Sequence, residues 1–120
     1  MSENKFSVTL PLTGEYLTTV RLTTGGLCSL VGFDVDLAED FKVCVTESLL
    51  ILKRNGYTSA TIDFTIGEAL GCFVCGKDAN GTKEDAIEDE ISRALLSALL
   101  GEVHFETNEN GEVSGIRFEG

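Results

Sequence analysis

The chain has 120 residues, 42% of them apolar, with 20 acidic against 9 basic side chains and a formal net charge of -11. That is apolar material for one buried core, too little length for two, and too hydrophobic a composition for an acidic disordered tail. A surface of this charge repels phosphate backbones and anionic lipid, and the Lys and Arg residues are scattered from Lys5 to Arg117 rather than gathered in a stripe. No direct nucleic-acid or membrane binding is therefore expected, whereas a basic protein partner is compatible.

The opening residues Met1 to Phe6 lack the basic start and apolar run of a signal peptide, and no stretch approaches the length of a membrane span. A cytoplasmic protein is expected, with Cys28, Cys44, Cys72 and Cys75 as free thiols in apolar segments. Pro11 is the one proline and no linker composition interrupts the sequence, so residues 1–120 read as a single domain.

Phe6, Val8 and Leu10 alternate with Lys5, Ser7 and Thr9 before Pro11, which predicts a first strand exposed on one face. From Glu15 the period turns helical through Leu17, Val20, Leu27 and Leu30 or Val31 toward Gly32, with Gly25-Gly26 predicting a kink or a close approach. A second helix is bounded by Asp36 as N-cap, Glu39 three residues on as in a capping box, and Lys53-Arg54 before Asn55-Gly56. Its core stripe is Leu37, Phe41, Cys44, Val45, Leu49 and Leu52, with Val43, Leu50 and Ile51 apolar on another side and Glu47 an isolated carboxylate among them.

Ala60, Ile62, Phe64 and Ile66 alternate with polar residues as a second strand, and Gly67-Glu68 turns into a third over 69–75. Residues 76–81 read as a loop, and a helix begins at Thr82 or Asp85 carrying Ile87, Ile91, Leu95 and Leu99 at intervals of four. Two strands, 103–107 and 113–118, close the chain around the turn 108–111. The order fits an α+β fold: a two-layer sandwich with a mixed, mostly antiparallel sheet and three helices on one face.

The run Ala38-Glu-Asp-Phe-Lys-Val-Cys-Val-Thr-Glu-Ser-Leu-Leu-Ile-Leu-Lys-Arg-Asn-Gly-Tyr57, with the strand, proline and helix of Leu10 to Arg21, resembles anti-sigma factors of the serine-protein-kinase type, within the GHKL (histidine-kinase-like) group of ATPases. The resemblance implies a histidine-kinase-like ATPase fold and four working parts: a glutamate, an asparagine four residues later for Mg²⁺, an Asp-x-Gly-x-Gly adenine loop, and glycines for the phosphates. Glu47 matches the glutamate, but its neighbour at plus four is Ile51, which has no oxygen for Mg²⁺, and Asn55 is one turn too late.

The adenine aspartate falls on Cys75 or Gly76, so only a shifted register would let Asp78 and Gly81 serve. The acidic run from Glu84 to Glu90 repels triphosphate, and otherwise reads as a solvated helix N-terminus. Arg21 stands where the resemblance implies a partner-facing arginine, although a surface ion pair explains it equally.

Cys72-x-x-Cys75 on a strand points its thiols to opposite faces, so no metal site is expected, and the lone His104 has no nearby nucleophile in sequence. Val43, Leu50 and Ile51 fill the former nucleotide cleft or, less simply, line a pocket for a nonpolar ligand. The expectation is a regulatory domain with a degenerate nucleotide site and no cofactor, acting on a sigma factor or an anti-anti-sigma protein, or as a homodimer. The alternative is an active Mg-ATP-dependent serine-protein kinase using Glu47 and a rearranged loop around Asp78 that phosphorylates an anti-anti-sigma partner.

Overall fold

The computed structural model describes residues 4–84 and 86–120. The expectations placed on Met1 to Glu3 and on a helix start at Asp85 lie outside the described residues. Strand β1 (Asn4–Pro11) leads through a single 3-10 turn, Gly14–Tyr16, into α1 (Leu17–Leu30) and α2 (Val35–Arg54). The hairpin β2 (Ser59–Ile66) and β3 (Leu70–Lys77), helix α3 (Ala86–Leu100), and the hairpin β4 (Val103–Thr107) and β5 (Val113–Glu119) follow.

The five strands form one sheet in the order β1-β2-β3-β5-β4, and every neighbouring pair is antiparallel. Among the described residues the sheet thus contains no parallel pair, where the sequence suggests a mixed one. Alternation sets its two faces: Ala60, Ile62, Phe64, Leu70, Cys72, Val74, Ile116 and Phe118 are buried beneath the helices. The other face carries polar pairs such as Ser7 with Asp63 at 2.6 Å and Thr9 with Thr61 at 3.2 Å. Arg117 lies over the Phe73 ring there, 4.2 Å from its centroid.

Helix α2 occupies the middle of the helical layer, against β2, β3 and β5, with α1 on one flank and α3 on the other. Its buried residues are Phe41, Cys44, Val45, Ser48, Leu49, Ile51 and Leu52, more than one face as expected. Phe41 packs edge-on against Phe33 at 5.7 Å and Phe118 at 5.3 Å, tying the helix start to the last strand.

The cap of α2 differs from the sequence reading. Asp34, not Asp36, accepts a hydrogen bond from the Leu37 amide at 2.8 Å, while Asp36 lies in the first turn and Glu39 pairs with Lys42 at 2.6 Å. The reason lies one element upstream. Gly32, at φ +76°, closes α1 with its amide on the Ser29 carbonyl and the Phe33 amide on that of Cys28, so α2 is free to start directly after Phe33. Gly56, at φ +96°, ends α2 the same way, with Gly56 and Tyr57 donating to Lys53 and Leu52.

Helix α1 runs unbroken through Gly25-Gly26. A Cβ on Gly25 would lie 3.6 Å from the Lys42 side chain, whereas Gly26 faces open space. Helix α3 turns Ser92 and Leu96 inward and leaves Ile87, Ile91 and Leu95 exposed, so the first three members of its four-residue apolar repeat lie on the outer face while Leu99 packs half-buried against the core.

Candidate functional site

Glu47 sits on the flank of α2 that faces α3. It is half-buried, and its carboxylate accepts a hydrogen bond from the Ser92 hydroxyl at 2.8 Å. Ser92 is itself buried and accepts from the Arg54 guanidinium at 3.0 Å. Arg54, two turns after Glu47 and so on the same flank, also donates to Asp89 at 3.1 Å and pairs with Glu88 at 3.3 Å.

Asn55 completes the seam. Its amide nitrogen donates to Asp89 at 2.6 Å and to the Ile51 carbonyl at 2.8 Å, and its oxygen accepts from the Val113 amide at 3.0 Å. Glu47 is therefore not the isolated carboxylate among apolar neighbours that the sequence suggests. It belongs to a polar line between two helices in which charge and donor alternate.

Asp89, expected as part of a solvated helix N-terminus, is half-buried in this line. Sequence reasoning missed Asp89, Ser92 and Arg54 as partners of Glu47. The signal available was Asp89, Ser92 and Leu96 at spacings of three and four, a second face of α3 that competes with the more conspicuous isoleucine stripe.

Position 51, one turn after Glu47, is a fully buried isoleucine packed in the core. Leu50 turns away toward Leu12, Thr13 and Leu17 at the start of α1, and Val43 is half-buried.

Asp78 and Gly81 are brought to the end of α2, and backbone contacts hold them there. The Asp78 carbonyl accepts from the Thr58 amide and hydroxyl, both at 3.0 Å, and the Gly81 amide donates to Gly56 at 2.7 Å. A Cβ on Gly81 would lie 2.9 Å from the Gly56 carbonyl, which explains glycine there. The Asp78 carboxylate accepts from Ser59 at 2.9 Å on the exposed side of the loop, and its backbone holds φ +57°. At Gly76, which with Cys75 is one of the two positions on which the resemblance sets the adenine aspartate, a Cβ would lie 2.6 Å from the Tyr57 ring. The aromatic ring covers that strand end.

Arg21 is exposed on α1, and its charge reaches Glu39 on α2, where it adds to the larger effect of the Lys42 bond in holding that carboxyl below its usual range. Cys28, Cys44 and Cys72 are buried free thiols and Cys75 is half-buried on the opposite face of β3. Burial pushes the Cys44 thiol up to about 12, with Asp40 and Glu47 adding to the shift, and raises Cys28 and Cys72 as well. Among the described residues no group of three or more His, Cys, Asp or Glu side chains could hold a metal ion. His104 is exposed on β4, 3.0 Å from Glu102.

A five-stranded antiparallel sheet under three helices, with a glutamate on the central helix facing the third, is consistent with a GHKL-like α/β sandwich. In sequence, the chain is distantly similar to proteins named serine-protein kinase RsbW from Bacillus mycoides (strain KBAB4) and from Bacillus cereus (strains B4264 and G9842), 29% identical over 62 residues in each case. The match covers 52% of this chain and spans 39% of the length of these curated relatives. No family model matches the chain. Among the described residues no helix is long and apolar enough to cross a membrane.

Proposed function

We propose that the chain is a regulatory domain of the anti-sigma-factor type, acting by contact with a sigma factor or an anti-anti-sigma protein, at a nucleotide site that no longer takes Mg-ATP. The observation that carries this reading is Ile51: the position one turn from Glu47 that would have to present an oxygen to Mg²⁺ is a fully buried hydrocarbon. The surrounding residues point the same way. Ser92 holds Glu47, Asp89 holds Asn55, and Tyr57 covers the strand end where a carboxylate would meet adenine.

On this reading the residues present do not fit Mg-ATP, and Glu47 takes no part in phosphoryl transfer. Its carboxylate serves as the acceptor that seats α3 on α2. Arg21, exposed on α1, is the side chain this reading assigns to partner contact, and pairing of two copies is compatible with it. Glu47 at the matching helical position and the similarity to proteins named serine-protein kinase favour the second reading, an active serine-protein kinase.

The test is partner binding with and without nucleotide, using sigma factors and anti-anti-sigma proteins of the same organism. One of them binds, with a Kd unchanged within about twofold by millimolar Mg-ATP, and Arg21→Glu weakens the complex about tenfold. Binding that needs Mg-ATP, or transfer of phosphate to a partner serine, would establish the second reading instead.

A further inference from the structure

Helix α3 is apolar on two sides. Leu96 is buried on the inner side with Ser92, and Leu99 and Leu100 are half-buried, so the core contact is complete without the outer stripe. On that outer side Ile91 is 63% and Leu95 37% exposed, with Ala94 and Ala98 exposed beside them and Ile87, also 63% exposed, one turn earlier. A surface helix ordinarily carries polar residues on this arc. From 87 to 95 the stripe runs about 12 Å, two turns of helix.

The α3 carboxylates set the charge of the rim: Glu90 flanks one side and Glu84 stands just before the helix, while Glu88 on the other side is paired with Arg54, all three carboxylates being exposed. Among the described residues Glu84 and Glu90 form no ion pair, and Arg93, the basic residue of α3, is occupied 4.9 Å from the centroid of the Phe105 ring. A second copy facing this surface would set carboxylates against carboxylates, with a net charge of -11 on each chain. A basic segment meets no such repulsion, and its cations gain the unpaired Glu84 and Glu90 as partners and share Glu88 with Arg54.

We infer that the outer face of α3 docks a basic amphipathic helix of a partner protein, whose apolar residues at i, i+3 or i+4, and i+7 pack along Ile91 and Leu95 while its Lys and Arg face Glu84, Glu88 and Glu90. The face lies on the side of α3 away from Glu47, so the inference stands apart from the nucleotide reading and from contact at Arg21, and each can fail without the other.

The test uses the full chain and two synthetic peptides of identical Leu and Lys composition, one amphipathic as a helix and one scrambled. Calorimetry and amide chemical-shift mapping read binding. The amphipathic peptide binds about tenfold tighter than the scrambled one, shifts the amides of Ile91 and Leu95, and loses at least about tenfold in affinity to an Ile91→Ser/Leu95→Ser variant. Both substituted side chains are exposed, and an unchanged melting temperature verifies that the variant folds. Glu84→Gln/Glu90→Gln flattens the salt dependence of binding. Absence of binding, equal affinity for both peptides, or shifts confined to another face would overturn the inference. Sedimentation showing a dimer that the double serine variant dissolves would overturn it in favour of a second copy.

Discussion

Ser92 is held between charges, donating to the Glu47 carboxylate and accepting from Arg54 while its own surface is almost wholly buried. Removing its hydroxyl leaves a carboxylate short of a donor in a half-buried seam, so Ser92→Ala costs about 1–3 kcal/mol of stability. Urea unfolding reads this as a lower midpoint at unchanged slope; a loss below about 0.5 kcal/mol would mean that water replaces the hydroxyl and the seam is not a sealed one. The thiols give a second test at the same scale. Burial holds the Cys44 proton to about 12 and raises Cys28 and Cys72, whereas thiols in the unfolded chain ionise near about 8.5. Above that pH the unfolded state binds fewer protons than the native one, so stability falls as pH rises from about 8.5 toward 12. Melting temperatures across the alkaline range show this decline, shallower in Cys44→Ala. Brief iodoacetamide treatment of the native protein followed by mass spectrometry finds Cys75 alkylated first, since it alone of the four is not buried; early modification of Cys44 would contradict its burial.

At the scale of elements, the start of α2 separates a local signal from the one the chain uses. Asp34→Ala removes the bond to the Leu37 amide and costs about 1 kcal/mol, whereas Asp36→Ala removes only a first-turn charge and costs about 0.3–0.5 kcal/mol. Thermal unfolding of both variants checks the order, and the reverse order would restore the Asp36 cap. Asp36 carries the capping-box pattern with Glu39 and Asp34 does not, yet the choice is made by Gly32 and Phe33 closing α1, which depends on a left-handed backbone that sequence period does not reveal. The strands were legible because their alternation has a period of two and one face must be buried, which also fixes register. The orientation of α3 was not. With apolar residues on both sides, the helix is turned by what fits against α2, and the polar pair Asp89 and Ser92 wins the inner side because Glu47, Arg54 and Asn55 are waiting there.

For the whole molecule, the same distinction explains how much of the site could be read. Glu47, the missing oxygen at Ile51 and the glycine at 76 are local facts, visible in a single helix or strand. The partners of Glu47 are not, because Ser92 lies 45 residues away and only the packing of α3 across α2 brings them together. The loop bearing Asp78 and Gly81 is likewise placed by backbone bonds to Gly56 and Thr58, which no spacing rule supplies. What results is a sandwich whose third helix seats Asp89 and Ser92 on the flank of α2 that carries Glu47, Arg54 and Asn55, while Ile91 and Leu95 face outward. The most direct test of this account is isothermal calorimetry of the purified chain with Mg-ATP and Mg-ADP, with the melting temperature followed at the same concentrations. No heat of binding and no rise in melting temperature is expected at millimolar nucleotide; a Kd in the micromolar range, with the stabilisation that such binding requires, would mean a working nucleotide site.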